Sequence, residues 1–199
     1  MLGVDASPEV LGGAGGRQTA SVSDDHGTVV TLRDGAPVRL RPIRPDDEKR
    51  LLALAERLSP RTVYQRFFSV RRLRPEDARA LVDVDYRERM AIVAEVDAEE
   101  TTELIGVARY APSGEPFTVE IALVVEDRWQ GLGLGSILLD EILRAAAARG
   151  IHRFTADVLT ENRRMLRLLS GHTVITNHTT SDGVTTLVFH PKESGELHA

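Results

Sequence analysis

The spacing of hydrophobic positions changes along the chain, and its first part predicts a strand followed by helices. Residues 38–42 alternate between apolar and polar side chains as a strand does. In residues 51–58 the leucines recur at helical spacing, and the Arg-Pro-Asp-Asp run at 44–47 is a helix-start signal. Ser59-Pro60 and Arg74-Pro75 predict two further short helices, because proline is favoured at the first helical position.

The pattern then changes to short runs rich in valine and isoleucine at residues 90–96, 103–110 and 117–125, which predict strands. The remaining elements are a helix at 137–148 ended by Gly150, a strand at 154–159, a helix at 162–169, and a hairpin of residues 172–177 and 184–189 around Asp182-Gly183. We therefore expect a mixed α/β fold (α+β), a sheet with helices on both faces.

Length and composition indicate how the chain divides into a folded domain and two tails. With 199 residues, 42% of them apolar, the chain suits a single domain with its own core. Residues 1–26 are rich in Gly, Ala and Ser and predict a flexible tail. The folded domain is expected at residues 27–191, followed by a short tail at 192–199.

Charge and cysteine content exclude several classes of function. The net charge of −5 argues against a general nucleic-acid binder. The absence of cysteine excludes disulfides, thiolate metal sites and a cysteine nucleophile, and the six histidines show no metal-site spacing. No run approaches 18 apolar residues and no signal peptide is apparent, so we predict a cytoplasmic protein without a membrane span or a metal.

A glycine cluster, Gly131, Gly133 and Gly135, lies between a predicted strand and a predicted helix. Glycine lets the backbone approach a ligand closely, and the first amides of a helix have no partner within it. Together with the helix dipole, those amides favour phosphate, so residues 130–136 predict an anion site. The alternative is a tight turn with a purely structural role. A nucleotide P-loop lacks its lysine here, and the glycine spacing does not fit a dinucleotide fingerprint.

Gln130-x-x-Gly133-x-Gly135 resembles the pyrophosphate loop of the GNAT superfamily of N-acetyltransferases. The resemblance covers roughly residues 38–190 and implies a mainly antiparallel sheet and acetyl-CoA as cosubstrate. It implies contacts with the cofactor from Asn162, on the pantetheine arm, and from Val124, Val125, Gln130, Gly131, Leu132, Gly133, Gly135 and Ser136.

Glu120 lies ten residues before Gln130, where histone-type lysine acetyltransferases of this superfamily carry their general base. An amine acceptor must lose a proton before it attacks, and the apolar neighbours Val119 and Ile121 would raise the pKa of a carboxylate toward neutrality. The structural alternative is a solvated surface carboxylate. The resemblance also places the backbone amide of Val124 at the thioester carbonyl, as an oxyanion donor.

Residues 85–94 and 59–69 resemble more narrowly the catalytic domain of bacterial protein lysine acetyltransferases of the Pat type. That likeness implies a protein lysine as acceptor, with acyl-CoA synthetases as the family's typical targets. Two alternatives stay open: a small-molecule amine acceptor, and an acetyl-CoA-binding regulatory module without turnover.

The sequence departs from the superfamily pattern after Asn162. Leu169 stands where many members carry a tyrosine that may act as the acid for the thiolate, and His172 replaces a phenylalanine. We therefore expect a helix about two residues short that turns at Ser170-Gly171, and name no general acid. Six arginines occur without an acidic residue between them: Arg57, Arg61, Arg66, Arg71, Arg72 and Arg74. They predict either a solvated helix surface, a docking face for an acidic partner, or positive charge that helps to bind CoA phosphates.

Overall fold

The structure is a computed structural model and describes residues 27–98 and 101–192. The predicted N-terminal tail, almost all of the C-terminal tail and the Glu99-Glu100 pair lie outside the described residues. The domain limits at residues 26 and 191 stay predictions.

Eight strands form one sheet in the order β1-β2-β3-β4-β5-β6-β8-β7. Every neighbouring pair is antiparallel except β5 and β6, which run parallel. This confirms the predicted mixed, mainly antiparallel sheet. The strands are β1 Thr28–Thr31, β2 Pro37–Pro42, β3 Met90–Ala98, β4 Thr101–Pro112, β5 Thr118–Val125, β6 Arg153–Leu159, β7 Thr173–Ser181 and β8 Val184–Pro191.

Five α-helices accompany the sheet in the described part of the chain. Ser59 caps α2 as predicted, since its hydroxyl accepts a hydrogen bond from the Thr62 amide. Gly150, with φ of 76°, follows the end of α4. The helices are α1 Glu48–Arg57, α2 Pro60–Phe67, α3 Pro75–Val82, α4 Leu134–Ala147 and α5 Arg163–His172.

Two helix limits differ from the sequence prediction. Helix α4 begins at Leu134, three residues early, because Gly133 is itself the N-cap. Helix α5 continues to His172, so the predicted early turn at Ser170-Gly171 is wrong. The Thr173 hydroxyl donates to the Leu169 carbonyl and finishes the helix, and β7 follows at once.

Helices cover both faces of the sheet, as predicted. On one face α4 and α5 pack on the larger apolar core, with Leu134, Leu138 and Leu169 almost fully buried. On the other face α1 and α3 close a second core that includes Val107 of β4. Val124 of β5 packs against this second core, so side chains of even-numbered β5 residues face the α1–α3 layer.

The parallel pair β5 and β6 is joined over only three residues. Thr118 pairs with Arg153 and Glu120 with Thr155, and the register ends there. Beyond this point β5 stays with β4 up to Val125, and β6 stays with β8 up to Leu159. The sheet therefore opens into a V-shaped gap whose apex lies at Glu120.

A buried ion cluster joins β2, β3 and the start of α1. The Arg41 guanidinium donates to both Asp47 oxygens at 2.7 and 2.9 Å and to the Glu95 carboxylate at 2.6 and 2.9 Å. The Asp47 side chain is fully buried, and it also accepts from the Arg44 amide and pairs with Arg50. Despite the cost of burial, these hydrogen bonds hold the pKa of Asp47 below its ordinary value.

Two negative findings concern the described residues alone. No helix there has the length and apolar character needed to cross a membrane. Within residues 27–98 and 101–192, no group of three or more His, Asp or Glu side chains is arranged to hold a metal ion. The predictions of a cytoplasmic, metal-free protein stay predictions.

Candidate active site

A large cleft follows the gap between β5 and β6 and has a volume of about 550 Å³. This is within the range of small-molecule sites. Its walls come from α2, β5, the glycine loop, α4, β6 and α5. Nine of the ten residues predicted to act or bind line it: Glu120, Val124, Val125, Gln130, Gly131, Gly133, Gly135, Ser136 and Asn162.

Leu132 is the exception among the predicted site residues. Its side chain packs against the larger core, and its carbonyl accepts a hydrogen bond from the Arg33 amide at 3.1 Å. Leu132 therefore fixes the loop to the hairpin between β1 and β2, and it is not among the residues that line the cleft.

At two positions of the glycine loop, the backbone has a conformation that only glycine adopts without strain. Gly131 and Gly133 have φ of 86° and 97°, in the left-handed region. Helix α4 starts directly after Gly133, and no backbone acceptor in the described structure takes the amides of Leu134 and Gly135. The site therefore offers unpaired N–H groups and the positive end of a helix dipole to an anion.

Two arginines that sequence analysis did not single out lie against this loop. A Cβ built on Gly133 would lie 3.6 Å from Arg33 Nε, and one on Gly131 would lie 3.3 Å from Arg164 Nη2. Both arginines also line the cleft. They come from the β1–β2 turn and from α5, so only the folded chain brings their positive charge to the loop.

The Gln130 side chain forms hydrogen bonds that connect several helices and strands around the glycine loop. Its amide nitrogen donates to the Val125 carbonyl at 3.0 Å and to the Thr62 hydroxyl at 3.4 Å. Its amide oxygen accepts from Arg164 at 2.9 Å. Gln130 thus links β5, α2 and α5 around the loop, and its contribution to the site is to position these elements.

Asp127, which the sequence analysis missed, attaches α2 to the turn before the loop. Its carboxylate accepts from the Ser59 amide and hydroxyl at 2.9 and 2.7 Å and from the Thr62 hydroxyl at 2.8 Å. Partial burial opposes ionisation, but these hydrogen bonds keep the pKa of Asp127 below its ordinary value. A carboxylate two residues after the predicted strand and an N-cap serine at position 59 were the available signals.

Asn162 begins α5 and lines the cleft. Its side-chain oxygen accepts from the Met165 amide at 3.2 Å, so the residue is the N-cap of the helix. The amide nitrogen has no protein acceptor within the described residues and is free to donate to a ligand carbonyl. The predicted contact with a pantetheine arm is compatible with this geometry and stays a prediction.

His172, at the end of α5, also lines the cleft. Its Nδ1 lies 2.7 Å from an Asp140 oxygen of α4. Leu169, at the position of the superfamily's tyrosine, is buried in the core and offers no proton donor.

Glu120 lies at the apex of the gap, where β5 and β6 part. Its side chain is exposed although Val119 and Ile121 beside it are buried, because successive side chains of a strand point to opposite faces. The side chains of these neighbours therefore point away from the carboxylate, and the role of Glu120 as general base stays a prediction. No hydrogen bond or ion pair within residues 27–98 and 101–192 engages it, so its oxygens are available to a proton.

Backbone hydrogen bonds at both ends of β5 show which of its residues have their amide and carbonyl groups hydrogen-bonded to β4. The Glu126 amide donates to the Ile105 carbonyl at 2.9 Å, and the Ser113 amide donates to the Thr118 carbonyl at 3.2 Å. Between these bonds the β4–β5 register continues without a shift. In an antiparallel ladder the bonded pairs alternate, so the even-numbered residues of β5 bond to β4.

This alternation bears on the expected oxyanion donor. It directs the amide of Val124 to β4, and it directs the amides of Leu123 and Val125 toward the gap. The Val125 carbonyl, on the same side, already accepts from the Gln130 side chain. The role of Val124 stays a prediction, and the hydrogen-bond pattern favours Leu123 or Val125 as the amide that meets a ligand in the gap.

Glycine substitutions provide a direct test of the loop. In Gly133→Ala a Cβ is forced into the left-handed region, at a cost of about 1–2 kcal/mol, so we expect the KM for acetyl-CoA to rise about tenfold. Gly114→Ala is the control, since it forces a Cβ into the same left-handed region, at φ of 90°, in the β4–β5 turn and not in the cleft. Steady-state kinetics check both, and equal KM values for the two variants would refute the role of the turn.

Comparisons with known proteins agree with this geometry. Residues 52–171 match the acetyltransferase (GNAT) family. The chain belongs to the GNAT family. Acetyltransferase PA5475 of Pseudomonas aeruginosa is 34% identical over 147 residues, which cover 73% of this chain and 78% of that protein. This GNAT chain is therefore an acyltransferase, from a family that uses acetyl-CoA.

The Pat resemblance is confirmed as well. The GNAT domain of S. lividans PAT superposes with a TM-score of 0.74 at 34% identity, covering 82% of this chain and 96% of that domain. Acetyltransferase Pat of Mycolicibacterium smegmatis is 35% identical over 141 residues, 70% of this chain. This GNAT chain spans only 42% of the length of that Pat protein.

Proposed function

We propose that this chain transfers the acetyl group of acetyl-CoA to the side-chain amine of a protein lysine, with Glu120 as the general base. The observation that carries the proposal is the unpaired Glu120 carboxylate at the apex of a cleft whose other end is an anion-binding glycine loop. The two ends match the two requirements of the reaction, a place for a diphosphate and a base for an amine.

The residues at the loop fit a CoA diphosphate. The unpaired amides of Leu134 and Gly135 face an anion, and Gly131 and Gly133 leave no side chain between it and the backbone. Arg33 and Arg164 add positive charge from both sides. The amide nitrogen of Asn162 would meet the pantetheine arm between this loop and the apex.

The chemistry that acetyl-CoA supplies when bound is an activated acetyl thioester. A lysine has an ordinary pKa of about 10.4, so near neutral pH its ammonium must first give a proton to Glu120, directly or through water. The C–N bond then forms by attack of the amine on the thioester carbonyl, which gives a tetrahedral intermediate. Its collapse breaks the C–S bond, and the CoA thiolate takes the remaining extra proton of the nitrogen, which leaves the amide and CoA thiol. An amide of β5 that faces the gap stabilises the negative charge on the carbonyl oxygen.

The acceptor is proposed from the likeness to Pat proteins, and acyl-CoA synthetases are the protein targets that this likeness suggests. A small-molecule amine is the second candidate, favoured by the open cleft beside Glu120. A regulatory module without turnover has lost its main support, because helix α5 is not shortened after Asn162.

Isotope-labelled acetyl-CoA tests the proposal. The purified chain is incubated with labelled acetyl-CoA and either a lysate or purified acyl-CoA synthetases, and mass spectrometry locates the label. We expect it on lysine side chains of protein. Label on small amines and on no protein lysine would refute the protein acceptor, and absence of any transfer despite measured acetyl-CoA binding would refute catalysis.

A further inference from the structure

Arg66 is a positive charge without a hydrogen-bonded or ion-paired partner in the described part of the chain, and it lines the same cleft as the proposed base. It belongs to α2, lines the cleft, and is partly buried, with its guanidinium carbon 4.8 Å from the centre of the Phe67 ring. Within the part of the chain that the structure describes, no hydrogen bond or ion pair engages it. A guanidinium has five N–H donors, so a poorly solvated one without acceptors is a binding site for an anion.

Arg109 places a second guanidinium on the same face. It lies opposite Ala122 in the β4–β5 register, while Glu120 lies opposite Ala111, so Arg109 and Glu120 are diagonal neighbours. Its hydrogen bond within the described residues is a long one, 3.4 Å, to the Leu81 carbonyl.

Electrostatic interactions link these three side chains, in agreement with their shared face of the sheet. Loss of solvation and the nearby Arg109 lower the pKa of Arg66 to about 10, and the Glu120 charge acts in the opposite direction. Loss of solvation and the Arg89 charge also lower the pKa of Arg109, with the same opposing effect from Glu120. Both guanidinium groups thus interact with the proposed base, and its single carboxylate does not balance their charge.

CoA phosphates are a poor explanation for this charge. Glu120 and Val125 are five residues apart on a strand, roughly 16 Å at the usual rise. The diphosphate end of the cleft lies beyond Val125 and has its own arginines, Arg33 and Arg164. An anion on the acceptor is therefore the better candidate for Arg66, which shares the cleft with Glu120.

We propose that Arg66, assisted by Arg109, binds a carboxylate carried by the acceptor close to the amine that is acetylated. This rests on the proposed function, since it assigns the acceptor specificity of the same site. The carboxylate belongs to an Asp or Glu next to the target lysine, or is the α-carboxylate of a free amino acid. An arginine suits this task because its planar fork matches a carboxylate with two parallel hydrogen bonds.

The experiment compares acceptors that differ only in charge beside the lysine. One pair is a blocked peptide with Glu next to lysine and the same peptide with Gln; the other pair is free lysine and lysinamide. We expect kcat/KM about 10- to 100-fold higher for the carboxylate member of at least one pair, the range for a hydrogen-bonded charge. The pair that responds identifies the source of the carboxylate.

Variants assign the preference to Arg66. Arg66→Gln should remove it, Arg66→Lys should restore it in part, and Arg61→Gln, at an exposed position of the same helix, should leave it intact. Equal kcat/KM within both pairs for the parent protein, or an unchanged preference in Arg66→Gln, would overturn the proposal.

Peptide binding measured by calorimetry separates this proposal from the proposed function. Tighter binding of the Glu peptide without acetylation of any acceptor would support the carboxylate site and refute the transferase activity. Acetylation of every acceptor at the same rate would support the activity and refute the carboxylate site.

Discussion

Glu120→Gln is expected to lower kcat by about 10²- to 10⁴-fold, the usual contribution of general base catalysis. The carboxamide keeps the size of the side chain but takes no proton from the acceptor. The KM for acetyl-CoA should stay unchanged, because the glycine loop lies at the other end of the cleft. Steady-state rates with saturating acetyl-CoA measure the effect.

The dependence of that loss on pH distinguishes a base from a binding residue. As pH rises toward the acceptor's own pKa of about 10.4, more amine is already deprotonated and the deficit of the variant should narrow. Glu115→Gln, at an exposed position of the β4–β5 turn, is the matched control and should keep the parent rate. A deficit that is constant with pH would contradict the proposed role of Glu120.

Asp47→Asn is expected to destabilise the fold by about 3–5 kcal/mol, because the buried Arg41 and the partly buried Arg50 then share a single carboxylate, Glu95. Since domains of this size are stable by about 5–15 kcal/mol in total, this is a large fraction. Urea unfolding followed by circular dichroism measures it, and an unchanged midpoint would contradict the expected loss of stability.

The same contacts predict how the stability of the fold depends on pH, and they indicate a control variant. The pKa of Asp47 is lower in the folded than in the unfolded chain, so its contribution is present above the unfolded value of about 3.9 and is lost as pH falls through the folded one. In the parent protein, acid should therefore reduce stability more than in Asp47→Asn. Asp77→Asn is the control, since Asp77 forms the same contact with the Arg74 amide at the surface and should matter far less.

Local signals account for what the sequence predicted well. Proline at the start of α2 and α3 and glycine after α4 act through the backbone alone, so they need no knowledge of the fold. The extent of α5 was mispredicted because Ser170 and Gly171 are usual helix-ending residues. Here the contact of Thr173 with Leu169 lets the helix continue through them.

The residues of the candidate site likewise separate into those that the sequence predicts and those that only the folded structure reveals. The glycine loop and Glu120 were identified because their spacing lies within one stretch of sequence. Arg33, Arg66 and Arg164 come from three different elements, so only the tertiary structure brings them to the cleft. Whether the amide of Val124 can act as the expected oxyanion donor depends on which residues of β5 are hydrogen-bonded to β4. Residue spacing along a strand does not reveal this.

The alternation of β5 gives its groups two directions. Its odd amides point in the plane of the sheet toward the gap, and its even side chains, Glu120 included, point to the face covered by α1 and α3. Because the period of a strand is two, inserting or deleting one residue between Glu120 and Val125 would reverse this division for everything on one side of the change. Length is therefore the property of this segment that evolution or design is least free to alter.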